Sequence, residues 1–269
     1  MLAAVSALPG LVSTVFVLVL AGGLVLPGAW GWLVPGVWIA AGAVLFVGPV
    51  ELALARLVFG FRRPNPVEAN RLGPAWESVC RAGGVDPAGY VVLVQESTHL
   101  NAYAAGGRVV AVTTAALELR PARLEAVLAH ELGHHLASHT TVSMLAWWFA
   151  LPARGVAWLV RQVLRLVVSI ARSGDLVGVL GAILLALVLL TGLAYLSLWL
   201  ILMPFVSPLL AWSARVGEYR ADGIAARLGY GPELVGVLRT WVSLEGERGL
   251  WQRFLATHPP HLRRIARLS

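Results

Sequence analysis

Two short stretches hold the residues whose types and spacing point to chemistry. His130-Glu131-Leu132-Gly133-His134 sets two histidines four residues apart, behind the apolar run Ala126, Val127, Leu128 and Ala129. On a helix, positions i and i+4 differ by only about 40°, so both imidazoles face one point. Neutral nitrogens so placed bind Zn²⁺, and a glutamate beside the first histidine can act as general base toward a water. The bland alternative is a surface helix with two stray histidines. A chance match is expected in fewer than about one chain in a hundred of this composition. Burial of two histidines and a glutamate without partners also costs free energy, and a metal would partner all three.

A catalytic zinc usually takes three protein ligands and keeps one open position. A third histidine six residues past the second is one source, but Thr140 stands there, and Ala137 stands where that arrangement needs glycine. His135 and His139 fall off the register and read as surface or supporting residues. The other source is a carboxylate on a later helix. Glu218-Tyr219-Arg220-Ala221-Asp222 places two carboxylates at i and i+4. Glu218 is the expected third ligand, and Asp222 the acceptor that orients a ligand histidine. A surface acidic pair beside arginines is the competing reading of that stretch.

The elements that must carry these residues are legible in outline. Proline at the start predicts a helix over Pro121–His139, and a second helix is expected over Trp212–Gly229. Pro66–Ala82 reads as a helix stopped by Gly83-Gly84. Tyr90–Gln95 and Arg108–Thr113 are strand-like, with Asn101-Ala102-Tyr103-Ala104 between them and Gly106-Gly107 as a turn.

Composition then sets the surroundings. Of 269 residues 58% are hydrophobic and 13% charged, with mean hydropathy +0.76, against about 25% charged in a soluble domain. That excludes an ordinary soluble protein, a disordered tail and a disulfide scaffold, and predicts an integral membrane protein in contact with the lipid bilayer. The net charge of +7 does not indicate nucleic acid. Every basic residue is arginine, and none of the runs exceeds two. Such arginines more often set membrane orientation. Cys80 is the single cysteine, so no internal disulfide or cysteine metal cluster is possible.

No charge precedes Glu51. Leu2–Trp30 and Trp32–Phe59 are each long enough to span a bilayer and predict a transmembrane hairpin. Arg56, Arg62 and Arg63 put its far end, and the N-terminus, in the cytoplasm. Leu176–Val206 is a further expected span. Thr141–Arg172 carries Arg154, Arg161, Arg165 and Arg172 on one helical face, as an interfacial helix or a span with that stripe turned inward. Ligands before and after these segments must meet at one ion, which requires an even number of crossings. The expected organisation is a hairpin over residues 1–60, the first part of a catalytic domain over 61–140, two hydrophobic helices over 141–206, and the second part of the catalytic domain over 207–269.

With both chemical stretches in view, the chain resembles the membrane-integral zinc metallopeptidases of the HtpX and CAAX prenyl protease type (gluzincins). Leu124 to His134 resembles that family's active-site helix, and Glu218 to Asp222 its E-x-x-x-D ligand helix. Asn101-Ala102-Tyr103-Ala104 is similar to its N-A-F-A segment, and Thr257-His258-Pro259-Pro260 with Arg264-Ile265 to its C-terminal signature. The resemblance implies one Zn²⁺ held by His130, His134 and Glu218, with Glu131 as base. It implies His258 and Arg264 near the metal, the first stabilising an oxyanion and the second orienting carboxylates. Asn101, Ala102, Tyr103 and Ala104 would be an edge strand that pairs with polypeptide substrate. The implied fold is mainly α, with about four membrane helices and a zincin-like domain containing a small β-sheet. The implied role is membrane protein quality control under stress, at the plasma membrane with a cytoplasmic active site. A CAAX-type prenyl-protein peptidase and a non-catalytic metal-binding membrane sensor are the alternatives; an intact Glu131 speaks against the sensor.

Overall fold

The structure is a computed structural model that describes residues 12, 14–23, 26, 28–137, 139–172, 178–181, 183–185, 187, 212, 214–244 and 259–269. His258, the link Ser173-Gly174-Asp175, most of Leu176–Val206 and the start of Leu2–Trp30 lie outside the described residues. The chain divides into two units, one built from residues 1–6, 40–145 and 210–269, the other from 7–39 and 146–209.

The first unit is organised around a three-stranded sheet in the order β1-β3-β2, with β1 Val91–Gln95, β2 Ala102–Ala105 and β3 Val109–Thr113. β1 runs parallel to β3, pairing Val91 with Val109, and β2 runs antiparallel to it, pairing Ala102 with Val112. A bridge from Arg62 to Val94 occupies the outer side of β1. Its guanidinium pairs with Glu68 and Glu96, which holds it protonated well above the ordinary arginine range. The outer side of β2 carries no strand among the described residues. Period-two alternation then sends side chains to two faces. Val94, Val110 and Val112 enter one apolar cluster, while Leu93, Val109 and Ala111 enter another with Ala55 and Phe61.

Local chemistry sets the helices. After α1 Thr14–Gly23, α2 Leu33–Ala41 and α3 Gly48–Phe59, α4 Pro66–Gly83 opens with a capping box: Asn65 Oδ1 accepts the Glu68 N–H, and the Glu68 carboxylate accepts the Asn65 N–H. Gly84 ends it at φ 64°. A single turn, α5 Thr114–Leu117, leads to α6 Pro121–Leu136. The helix of the His-Glu-x-x-His motif ends before His139, because Ala137 leaves helical geometry and α7 His139–Ala171 starts afresh. Residues 214–225 form α8, followed by a wide turn Ala226–Tyr230 where Gly229 sits at φ 94°. α9 Gly231–Leu244 and α10 His261–Leu268 complete the unit.

The expected hydrophobic spans are bent. No single described helix is long and apolar enough to cross a membrane, but two bent pairs are candidates by length and composition. Trp30–Phe46 and Gly48–Phe59 meet at 93°, and Thr140–Pro152 and Arg154–Ile170 at 45°. The two bends differ in origin. Pro152 lies inside α7, where it removes a backbone donor, whereas α3 turns so that Leu52 and Ala55 pack against the sheet. In the second unit Trp38 and Trp148 stack at 4.1 Å, and the Trp148 indole N–H donates to the Trp38 carbonyl. The arginine stripe of α7 is exposed among the described residues.

One close approach dominates the helix packing of the first unit. A Cβ at Gly133 would lie 2.8 Å from the Ala221 carbonyl oxygen and 2.9 Å from its Cα, so α6 and α8 touch backbone to backbone. Alanine at 133 gains about 1 kcal/mol of intrinsic helix preference. Gly133→Ala is nevertheless expected to lower stability by about 1–3 kcal/mol, because both helices must part. Denaturant unfolding of the two proteins in one detergent measures the sign.

Candidate metal centre

The Gly133–Ala221 contact brings the two chemical stretches together. His130, Glu131 and His134 are buried on α6, and Glu218 and Asp222 are buried on α8. One donor atom from each of His130, His134 and Glu218 lies within 4.8 Å of the others. His130 Nε2 is 3.5 Å from Glu218 Oε2, and His134 Nε2 is 3.5 Å from Glu218 Oε1. The two imidazoles stand edge to face with centroids 4.7 Å apart. Ligands at about 2.1 Å around a tetrahedral zinc are themselves about 3.4 Å apart, so both Nε2–oxygen spacings suit donors sharing one ion.

A second layer fixes this arrangement. His130 Nδ1 is 2.9 Å from Asp222 Oδ1, which directs the proton to Nδ1 and leaves Nε2 as the donor atom. Arg264 arrives from α10, only 2% exposed, and donates to both Asp222 oxygens at 2.8 and 2.6 Å. Its Nη1 stands 3.2 Å from Glu218 Oε2, and its Nη2 lies 3.4 Å from each ring nitrogen of His130.

Charge counting gives an independent measure of fit. Glu131, Glu218 and Asp222 are three buried acidic side chains against one guanidinium, an excess of two negative charges when both imidazoles are neutral, as ligation of a metal requires. Without a cation, His130 takes up part of that excess. Burial and the Arg264 charge push His130 down, but its hydrogen bonds to Asp222 and Glu218 prevail and lift it to about 9. Burial raises Asp222, while His130 and Arg264 more than compensate and hold its carboxyl below the usual range. Burial lowers Arg264, and Asp222 returns it above its ordinary value. A buried His₂-carboxylate set short of two positive charges fits a divalent cation.

Other residues singled out in the sequence fall as follows. β2 begins at Ala102, and Asn101 precedes it. The Thr113 N–H donates to the Asn101 carbonyl, so Asn101, Tyr103 and Ala105 bond to β3 while Ala102 and Ala104 turn their backbone groups outward. The Ala102 N–H is taken by Asn101 Oδ1 at 2.9 Å. His135, which the helix register set aside, is a tie to the sheet: its Nε2 donates to the Val109 carbonyl at 3.0 Å, and Thr140 Oγ1 lies 3.3 Å from Nδ1. Burial, chiefly, drops it to about 4, so it is neutral. Gly133 also escaped the motif reading, although a glycine inside an apolar helix is itself a sign of close backbone approach.

Because Arg264 and Asp222 are both buried, loss of Asp222 removes two hydrogen bonds from the guanidinium and leaves it Glu218 as its carboxylate contact. Asp222→Ala is expected to cost about 3–5 kcal/mol, and Arg264→Met in the same chain should return much of it. Unfolding of the metal-stripped single and double variants measures both effects.

Comparison with known proteins agrees with this geometry. Residues 66–269 match the model of peptidase family M48. The chain is 29% identical over 206 residues to Protease HtpX of Chromohalobacter salexigens, an alignment covering 66% of this chain and 64% of that protein. In fold it is similar to the crystal structure of S. mikatae Ste24p, with TM-score 0.52 and 21% identity, covering 95% of this chain and 61% of the other. The chain thus spans somewhat under two thirds of the length of both. With a family match over most of its length, enclosing both helices of the buried cluster, the chain belongs to peptidase family M48, the family of the HtpX-like and CAAX proteases.

Proposed function

We propose that this protein is a membrane-embedded zinc metalloendopeptidase that hydrolyses polypeptide substrates on the cytoplasmic side, in membrane protein quality control. The convergence of His130, His134 and Glu218 beside Glu131 is the observation that carries the reading. In the proposed assignment those three side chains hold the metal, and Asp222 and Arg264 position them. Zn²⁺ bound there would supply Lewis acidity, polarising a peptide carbonyl and making a water acidic enough to attack near neutral pH.

The protein's own groups then divide the proton work. Glu131 takes a proton from the attacking water and returns it to the departing amine. Asp222 keeps the His130 proton on Nδ1 throughout, and Arg264 holds Asp222 as a carboxylate and stands against Glu218. His258, by resemblance, donates to the developing oxyanion. The outward N–H and C=O groups of Ala102 and Ala104 pair with an extended substrate, which must first displace Asn101 Oδ1 from the Ala102 N–H. Recognition through main-chain groups makes cleavage broad in sequence, with a mild apolar preference.

Membrane placement rests on the apolar composition and the hydrophobic segments. The proposed ligands stand before and after residues 141–206, which supports a reading in which that segment returns to the side it left. Arg56, Arg62 and Arg63 favour the cytoplasm for that side.

Glu131→Gln is expected to bind zinc as the wild type does and to lose casein cleavage by at least about a hundredfold. Glu218→Ala should lose the metal itself, and chelation of the wild type should stop cleavage until zinc is restored. Metal analysis together with casein assays tests all three; full activity in Glu131→Gln refutes the assignment of the base.

A further inference from the structure

Glu51 is the first charged residue of the chain, within an otherwise apolar stretch. Its carboxylate is 4% exposed, on α3, and belongs to none of the groups around the metal centre. Oε1 accepts hydrogen bonds from the backbone N–H groups of Gly107 at 2.8 Å and Arg108 at 2.9 Å. Arg108 Nε lies 3.8 Å from Oε2. Gly107 and Arg108 form the turn between β2 and β3, with Gly106 at φ 58°.

The contact is closed from both sides. A Cβ on Gly106 would strike the Glu51 carboxylate, and a Cβ on Gly48 would strike the Arg108 guanidinium. Next to it, Leu52, Ala55 and Phe61 pack against Tyr103, Ala105, Val109 and Ala111. The Phe61 and Tyr103 rings are 5.4 Å apart. Glu51 therefore grips the turn while its neighbours support the inward side chains of β2. Among the described residues this four-residue edge strand has ladder bonds on one side only, so its outward backbone groups stay in place only if its ends are held. A buried carboxylate would be costly here without such bonds, and both N–H groups are spent on one oxygen.

We propose, resting on the peptidase reading above, that Glu51 is a positioning residue for substrate. By fixing the β2–β3 turn it sets where Ala102 and Ala104 offer their backbone groups to an extended peptide. The candidate metal ligands stand on α6 and α8 with Arg264 on α10, and α6 meets this end of the sheet through His135, so a fault confined to the Glu51 contact weakens substrate binding rather than metal loading.

The test uses the full chain in detergent micelles, loaded with zinc, and a fluorogenic extended apolar heptapeptide. Glu51→Ala is expected to raise KM about tenfold, with kcat within about twofold of wild type. Its zinc content should be unchanged, and hydrogen exchange at Gly107 and Arg108 should quicken. Glu51→Gln keeps a side-chain oxygen that can accept both N–H groups, and should restore KM to near the wild-type value. Faster exchange with an unchanged KM overturns the proposal, as does a parallel loss of kcat and zinc, which would mark a general structural tether. If Glu51→Ala does not fold, Glu51→Asp withdraws the carboxylate by one methylene and should raise KM by a lesser factor. Opened amides with a wild-type KM in that variant also overturn it. A wild-type chain that cleaves no peptide refutes the peptidase reading, an outcome distinct from normal cleavage that is insensitive to Glu51.

Discussion

The excess of buried negative charge at the junction of α6, α8 and α10 is the constraint on which the rest of the first unit depends. Three carboxylates and two imidazoles lie out of water, and Arg264 offsets only one of the charges. Such a cluster is tolerable only if every member has a partner of opposite charge or a hydrogen bond. The hydrogen bonds run in one direction, from Arg264 to Asp222 and from His130 to Asp222, so Asp222 is the shared acceptor. That sharing leaves the two Nε2 atoms and the Glu218 oxygens facing one another, an arrangement that a divalent cation completes.

Packing makes the cluster possible. The helices that carry it are separated by more than seventy residues of chain, and α10 adds Arg264 from near the C-terminus. Gly133 lets the α8 backbone settle directly on α6, between the two histidines in sequence. A larger residue there would move Glu218 away from both rings. The glycine thus gives up helix propensity for proximity, a trade that only a buried helix contact rewards.

The sheet links this centre to a candidate substrate path. β3 is covered on both faces, by α4 and α6 on one side and by α3 with Phe61 on the other. His135 fastens the motif helix to the start of β3 through the Val109 carbonyl. Among the described residues β2 has one bonded edge and one open edge, its turn anchored by Glu51. A rigid centre and an edge strand supported from below are the arrangement that main-chain recognition of an extended peptide requires.

By itself the sequence determined the local elements and singled out the candidate donors. The i, i+4 spacing of His130 and His134 suits one helical face, the Asn65–Glu68 capping box and Gly84 bound α4, and short valine-rich runs mark β1 and β3 as strands. The elements and the histidine spacing depend on residues within a turn or two of one another, where covalent geometry and propensity decide. The resemblance of four segments to known metallopeptidases pointed to the family, which the match over residues 66–269 establishes. Tertiary structure alone decided the parallel pairing of β1 with β3, the break at Val47 that lays α3 on the sheet, the tie from His135 to Val109, and the grip of Glu51 on a turn more than fifty residues away. These contacts join distant segments, and their energies come from burial and charge pairing that exist only once the chain has folded. No periodicity in the sequence encodes which carboxylate meets which amide.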